Sequence, residues 1–117
     1  MFYVDGFVTP VPKDKIEDYK AMARLTCAVF KEHGALSIVE CLADDTPYGQ
    51  LTSFPRAVMA KDDEVVAFSW ITYPDKPTRD AVMVKVMADE RLKDVMQYAP
   101  FDTKRMIFGG FTSFLEL

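Results

Sequence analysis

Histidine and cysteine are scarce, with one histidine and two cysteines among 117 residues. A zinc or haem site built on the usual nitrogen and sulfur donors has almost nothing to draw on. Any metal would have to rest on carboxylates, and no carboxylate–histidine motif is present. No metal and no cofactor are expected. Cys27 and Cys41 match neither a zinc spacing nor a disulfide framework, and they read as small buried hydrophobes. Basic residues are also few: 14 Lys and Arg stand against 18 acids, for a net charge of −4. The two signs are interspersed, which argues against nucleic acid and provides no polybasic signal for a membrane surface. No apolar run approaches the roughly 18 residues that a membrane span needs. The opening Met1-Phe2-Tyr3-Val4-Asp5 lacks the positive region of a signal peptide, so the expected compartment is the cytoplasm. A phosphate loop is missing too, because Gly109-Gly110 does not sit between a strand and a helix.

What is present is an ordinary globular composition, half hydrophobic and 27% charged. Its length suits one domain, over residues 1–117, with one core. Alternation predicts a first strand over 2–11, with Tyr3, Asp5, Phe7 and Thr9 on one face and Pro10 and Pro12 ending it. Residues 13–33 carry the clearest helical pattern, a stripe of Ile16, Tyr19, Ala23, Thr26, Cys27 and Phe30 widened by Met22, Leu25 and Val29. Gly34 is the expected stop, since glycine takes a left-handed conformation without steric cost. A second strand follows over 35–42, with Leu36, Ile38, Glu40 and Leu42 sharing a face. A short helical turn at 55–59, a third strand over 64–73 and a helix over 78–88 come next. Pro74 and Pro77 break the chain before that helix, whose apolar face is Val82, Met83, Val86 and Met87. Asp89 can cap a short helix over 90–96, and a last strand occupies 106–115, with Gly109-Gly110 marking a bulge or a close backbone approach. The order strand, helix, strand, strand, helix, strand predicts an α+β, ferredoxin-like βαββαβ fold with a four-stranded antiparallel sheet.

In that fold one sheet face carries helices and the other is bare. A solvated face should show polar residues at alternate positions. The third and fourth strands are instead apolar or aromatic on both faces: Val66, Phe68 and Trp70 against Val65, Ala67 and Ile71, and Phe108 against Ile107 and Phe111. Soluble monomers rarely leave such a patch open, so a homodimer joined through its sheet faces is expected.

Several runs together resemble the YbaA-like family of uncharacterised bacterial proteins. They are Thr52-Ser53-Phe54-Pro55-Arg56-Ala57-Val58, Phe68-Ser69-Trp70-Ile71 with Tyr73-Pro74, Lys85-Val86-Met87-Ala88-Asp89, and Pro100-Phe101-Asp102 with Lys104-Arg105-Met106-Ile107. The resemblance implies a dimeric α/β barrel built from ferredoxin-like chains. It implies no reaction, and the wider superfamily is chemically mixed.

Candidate chemistry centres on carboxylates placed on apolar strand faces. Glu40 and Asp5 are candidate catalytic acids or bases, because burial raises a carboxyl pKa toward neutrality; pairing with a cation is the competing reading. Asp102, Lys104 and Arg105 in the loop before the last strand could hold an anion, with Arg56 adding a cation from another loop; a structural ion pair is the competing reading. Trp70 and Tyr73 could wall a ligand pocket or simply fill a core or interface. His33 is expected to complement the dipole at a helix end. The leading expectation is a homodimer that binds a small organic molecule, with an anion as one candidate class, and performs cofactor-independent acid–base chemistry. The alternative is a non-catalytic dimeric ligand-sensing or protein-interaction module. A water-poor pocket lined by carboxylates favours the first, and a filled core with every carboxylate ion-paired favours the second.

Overall fold

The computed structural model describes residues 1–117. Strands β1 (Tyr3–Pro12), β2 (Ser37–Leu42), β3 (Glu64–Tyr73) and β4 (Ile107–Thr112) form one sheet in the order β2-β3-β1-β4, and every neighbouring pair is antiparallel. Helix α1 (Ile16–His33) joins β1 to β2. A short α2 (Phe54–Ala57) lies between β2 and β3, and α3 (Lys76–Met87) leads toward β4. This is the expected ferredoxin-like α+β architecture. The molecule measures 38 × 36 × 20 Å, the thickness of one sheet and one helical layer.

Register sets which side chains meet the helices. Asp5 and Ile38 both stand opposite Ile71, and Glu40 and Phe7 both stand opposite Ser69. Directly paired residues share a face, so Asp5, Phe7, Ser69, Glu40 and Tyr73 all lie on the helix-covered side. Val4, Phe68, Trp70, Val39 and Phe111 lie on the other.

The helices end where local chemistry stops them. Gly34 has φ +123°, and the amides of Gly34 and Ala35 close back on the carbonyls of Lys31 and Phe30. A Cβ at Gly34 would also come 3.3 Å from a Val82 methyl, so α1 and α3 meet closely there. Helix α3 starts two residues earlier than the pattern suggested. Asp75 caps it through the Thr78 amide at 2.8 Å, and Pro77 occupies its first turn, where a missing N–H costs nothing. Pro10 does not end β1 either. β4 pairs only as far as Val8, so beyond that point β1 has a partner on one side alone, and a proline there is tolerated. Asp89 caps only a single 3-10 turn, Glu90–Leu92, in place of a longer helix.

The core between sheet and helices falls into two parts. One gathers Tyr3, Val29, Phe30, Ile71, Tyr73, Val82 and Val86; the other is Val11, Tyr19 and Ala67. Met87 is 80% exposed and does not belong to the apolar face of α3. Leu25 and Met22 instead border a second groove against Val95, Tyr98 and Pro100, which accounts for the wide apolar stripe of α1. Cys41 is exposed on β2 rather than buried, and Cys27 is half-buried; both are free thiols.

The opposite sheet face is largely open. Phe68, Val39, Ile107 and Phe111 are exposed there and Trp70 is half-buried. Only α2 covers one end, where Phe54 meets Phe68 edge-on with ring centres 5.7 Å apart. No helix is long and apolar enough to cross a membrane.

Candidate functional site: the groove between α1 and β2

Tyr19 comes from the first turns of α1 and Glu40 from the middle of β2. The Tyr19 hydroxyl donates to Glu40 Oε1 at 2.7 Å. They meet because Glu40 has the strand parity that faces the helix and Tyr19 lies on the stripe that faces the sheet. β2 is an edge strand, so α1 and β2 leave an open groove between them rather than a closed core. The groove holds about 390 Å³, with Ala23, Ile38 and Leu42 as apolar lining and Lys20, Arg24 and Cys27 along the helix side.

The electrostatics follow from this placement. Glu40 is exposed as a residue, but its carboxyl end reaches into the groove, and the partial burial there raises its pKa. The hydroxyls of Tyr19 and Ser69 pull the other way without overcoming the burial. Burial, then the hydrogen bond and charge of Glu40, push Tyr19 far above the usual phenol value, so it remains a hydrogen-bond donor. Cys27 is pushed up to about 11, first by burial and then by the Glu40 charge. It is therefore a protonated thiol at neutral pH and a poor nucleophile. The arrangement offers one carboxylate with no cation partner and a raised proton affinity, held in orientation by a phenol.

Asp5 occupies a different setting on the same sheet face. It is 6% exposed, beside the fully buried Tyr73, and Arg79 Nε lies 3.8 Å from its Oδ1. Burial raises its pKa, and the Arg79 charge offsets part of that rise. The Tyr73 hydroxyl and Arg79 Nε are both buried without a hydrogen-bond partner, while Arg79 Nη2 donates to Tyr3 Oη at 2.9 Å. Arg79 is not among the residues singled out from the sequence; the signal for it is that it precedes Val82, Met83 and Val86 by three, four and seven positions, the spacing of one helix face. Tyr19 could also have been found, since a tyrosine in an apolar stripe carries a hydroxyl that needs a partner.

The loop cluster does come together, but around a carboxylate of this chain. Arg105 grips both oxygens of Glu64 at 2.7 Å, reaches the Met59 carbonyl at 2.9 Å and donates to Asp102 at 3.0 Å. Asp102 also accepts the Lys104 backbone amide, whereas the Lys104 side chain points to solvent without a partner. Arg56 clamps its own loop, donating to the carbonyls of Tyr48 and Gly49 and stacking over the Tyr48 ring at 3.8 Å. Trp70 lies on the bare face, across the sheet from Glu40 and Asp5. Within one chain, therefore, Trp70 and Arg105 do not share a pocket with either carboxylate. At the end of α1, His33 Nε2 donates to Asp89 Oδ2 at 2.9 Å. No three His, Cys, Asp or Glu side chains converge in a metal-binding arrangement.

Residues 2–103 match a family model described as a protein of unknown function, DUF1428. The chain is 53% identical over 116 residues to the uncharacterized protein YbaA of Escherichia coli K12, covering 99% of each chain. The YbaA of Shigella flexneri is equally similar. Among solved structures the chain resembles a mutant form of SnoaB, a cofactor-independent oxygenase from Streptomyces nogalater. That match has a TM-score of 0.61 and 16% identity, over 98% of this chain and 96% of the other. At such identity the likeness is one of fold. With a family model spanning most of its length and a relative more than half identical from end to end, the chain belongs to the YbaA-like DUF1428 family.

Proposed function

We propose that the protein is a cytoplasmic homodimer that binds a small organic molecule in the α1–β2 groove, where Glu40 takes up or releases a proton without a cofactor. The observation that carries this reading is the Tyr19–Glu40 hydrogen bond at the groove wall. The acids Asp5, Glu64, Asp89 and Asp102 all have an arginine within ion-pair distance, while Glu40 has only hydroxyl partners. A carboxylate with raised proton affinity beside an open, largely apolar groove suits general acid–base work near neutral pH. Tyr19 acts as a positioning residue that fixes the carboxylate through Oε1. The exposed apolar sheet face supports self-association, and SnoaB supplies the precedent that this scaffold accommodates chemistry without a cofactor. Two free thiols suit a reducing compartment.

Native mass spectrometry of the protein as purified from cells tests the reading. A dimer with a reproducible extra mass that is lost on Glu40→Gln substitution is expected. A ligand that survives this substitution with full turnover overturns the role of Glu40. The second reading, a dimeric ligand-sensing module, is favoured by the pairing of the other buried and loop carboxylates with arginine; it expects a bound ligand that leaves unchanged.

A further inference from the structure

The protein has five arginines, and four of them are committed. Arg56 holds backbone carbonyls, Arg79 holds Tyr3, Arg91 holds Asp89 and Glu32, and Arg105 holds Glu64 and Asp102. Arg24 has no hydrogen-bond or ion-pair partner, and it lines the groove that contains Glu40. Lys20 lies one helical turn before it on the same side, lightly engaged with Glu17 at 3.3 Å in an exposed pair. The groove is therefore graded. Two cations stand along the helix side, apolar side chains form the lining, and one carboxylate with its phenol closes the wall.

We infer that the groove's ligand is a small organic carboxylate whose anionic end is held by Arg24, with Lys20 beside it, and whose apolar body lies against Ala23, Ile38 and Leu42. This rests on the groove reading above and names the ligand class for it. A guanidinium fork matches a carboxylate through two parallel hydrogen bonds. A volume of about 390 Å³ is at the small end of ligand pockets and suits a single ring or short chain. The largely apolar lining suits an anion that carries an apolar body, as an organic carboxylate does and inorganic phosphate does not.

The test uses the full-length protein and two probes of nearly equal shape, phenylacetate and its neutral amide, followed by amide chemical shifts. Phenylacetate is expected to perturb residues 20–27 and 38–42 and to bind about fivefold tighter than phenylacetamide, the ratio that one exposed ion pair of about 1 kcal/mol provides. Arg24→Gln should erase this preference while leaving binding of the neutral probe intact. Arg56→Gln, outside the groove, should leave the preference unchanged. If both probes bind in the groove with equal affinity, or if Arg24→Gln keeps the preference, the carboxylate assignment falls and the groove reading stands. If neither probe perturbs the groove at millimolar concentration, the assignment also falls, and the groove reading is then judged by the extra mass on the purified dimer.

Discussion

Arg105 and Glu64, 41 residues apart, face each other in a two-pronged ion pair with both N–O distances at 2.7 Å. Their side chains are 11% and 4% exposed. The pair ties the loop before β4 to the start of β3, and Arg105 also holds the Met59 carbonyl and Asp102. Removing Arg105 leaves Glu64 sheltered without its cation. Arg105→Ala is expected to lower stability by about 2 kcal/mol, read as a shift in the urea midpoint.

The same pair shapes the acid limb of stability. The hydrogen bonds from Arg105 hold Glu64 below its usual 4.5. A carboxyl whose pKa falls on folding stabilises the protein above its unfolded value and loses that contribution as pH drops through the folded value. Stability should therefore decline below about pH 4.5, and Arg105→Ala should show a shallower decline than the native chain. Equal slopes in urea titrations from pH 6 to pH 3 would count against this account.

Asp5 carries the opposite sign. Burial raises its pKa above the usual 3.8, so folding favours its protonated form. That preference is fully present below 3.8 and is lost as pH rises through the folded value. Relative to Asp5→Asn, the native chain should lose stability as pH climbs through this window. A stability difference that does not change with pH would show that Asp5 titrates alike in both states.

Tyr19→Phe removes the donor to Glu40 and little else. The stability cost should be about 1 kcal/mol, as for one typical hydrogen bond. Because the Tyr19 hydrogen bond lowers the Glu40 pKa against the effect of burial, the substitution should move the Glu40 titration upward. Carboxyl carbon shifts followed against pH would detect this, and a downward movement would contradict the geometry.

Gly109 and Gly110 should differ sharply when changed to alanine. A Cβ at Gly110 would sit 2.2 Å from Tyr3 Oη and 2.8 Å from the Tyr3 ring, displacing the ring that Arg79 holds. At Gly109 the nearest atom is the Phe111 ring at 3.6 Å, an ordinary contact. Gly110→Ala should cost about 1–3 kcal/mol, and Gly109→Ala clearly less. Thermal melts of the two variants decide it.

Phe111→Lys tests the open sheet face. Phe111 is 63% exposed and contributes nothing to the helix-side core. Sedimentation at micromolar concentration should show a native dimer and a folded monomeric variant. A native monomer would overturn the proposed assembly.

The order of elements was legible because periodicity is local. The third strand spans Glu64–Tyr73, the bounds its pattern predicts, since alternation over ten residues leaves little freedom. Ends set by proline were harder to read: Pro10 is tolerated only because β4 stops pairing at Val8, a fact about a strand about a hundred residues away. The candidate carboxylates were legible for a similar local reason, since an acid on an apolar face stands out. Which partner each one meets was not. Asp102, Lys104 and Arg105 read either as an anion site or as a structural ion pair, and nothing in the nearby sequence shows that Arg105 meets Glu64.

Taken alone, the sequence determined the ferredoxin-like element order, the faces of each strand and the apolar excess on the sheet, because these depend on spacing along one segment. Only the tertiary structure decided that Glu40 meets Tyr19 without a cation, that Asp5 meets Arg79, and that Arg24 alone among the arginines stays uncommitted. Ion pairs and hydrogen bonds depend on distances of a few ångströms between segments far apart in the chain, and those distances exist only once register and helix packing are set.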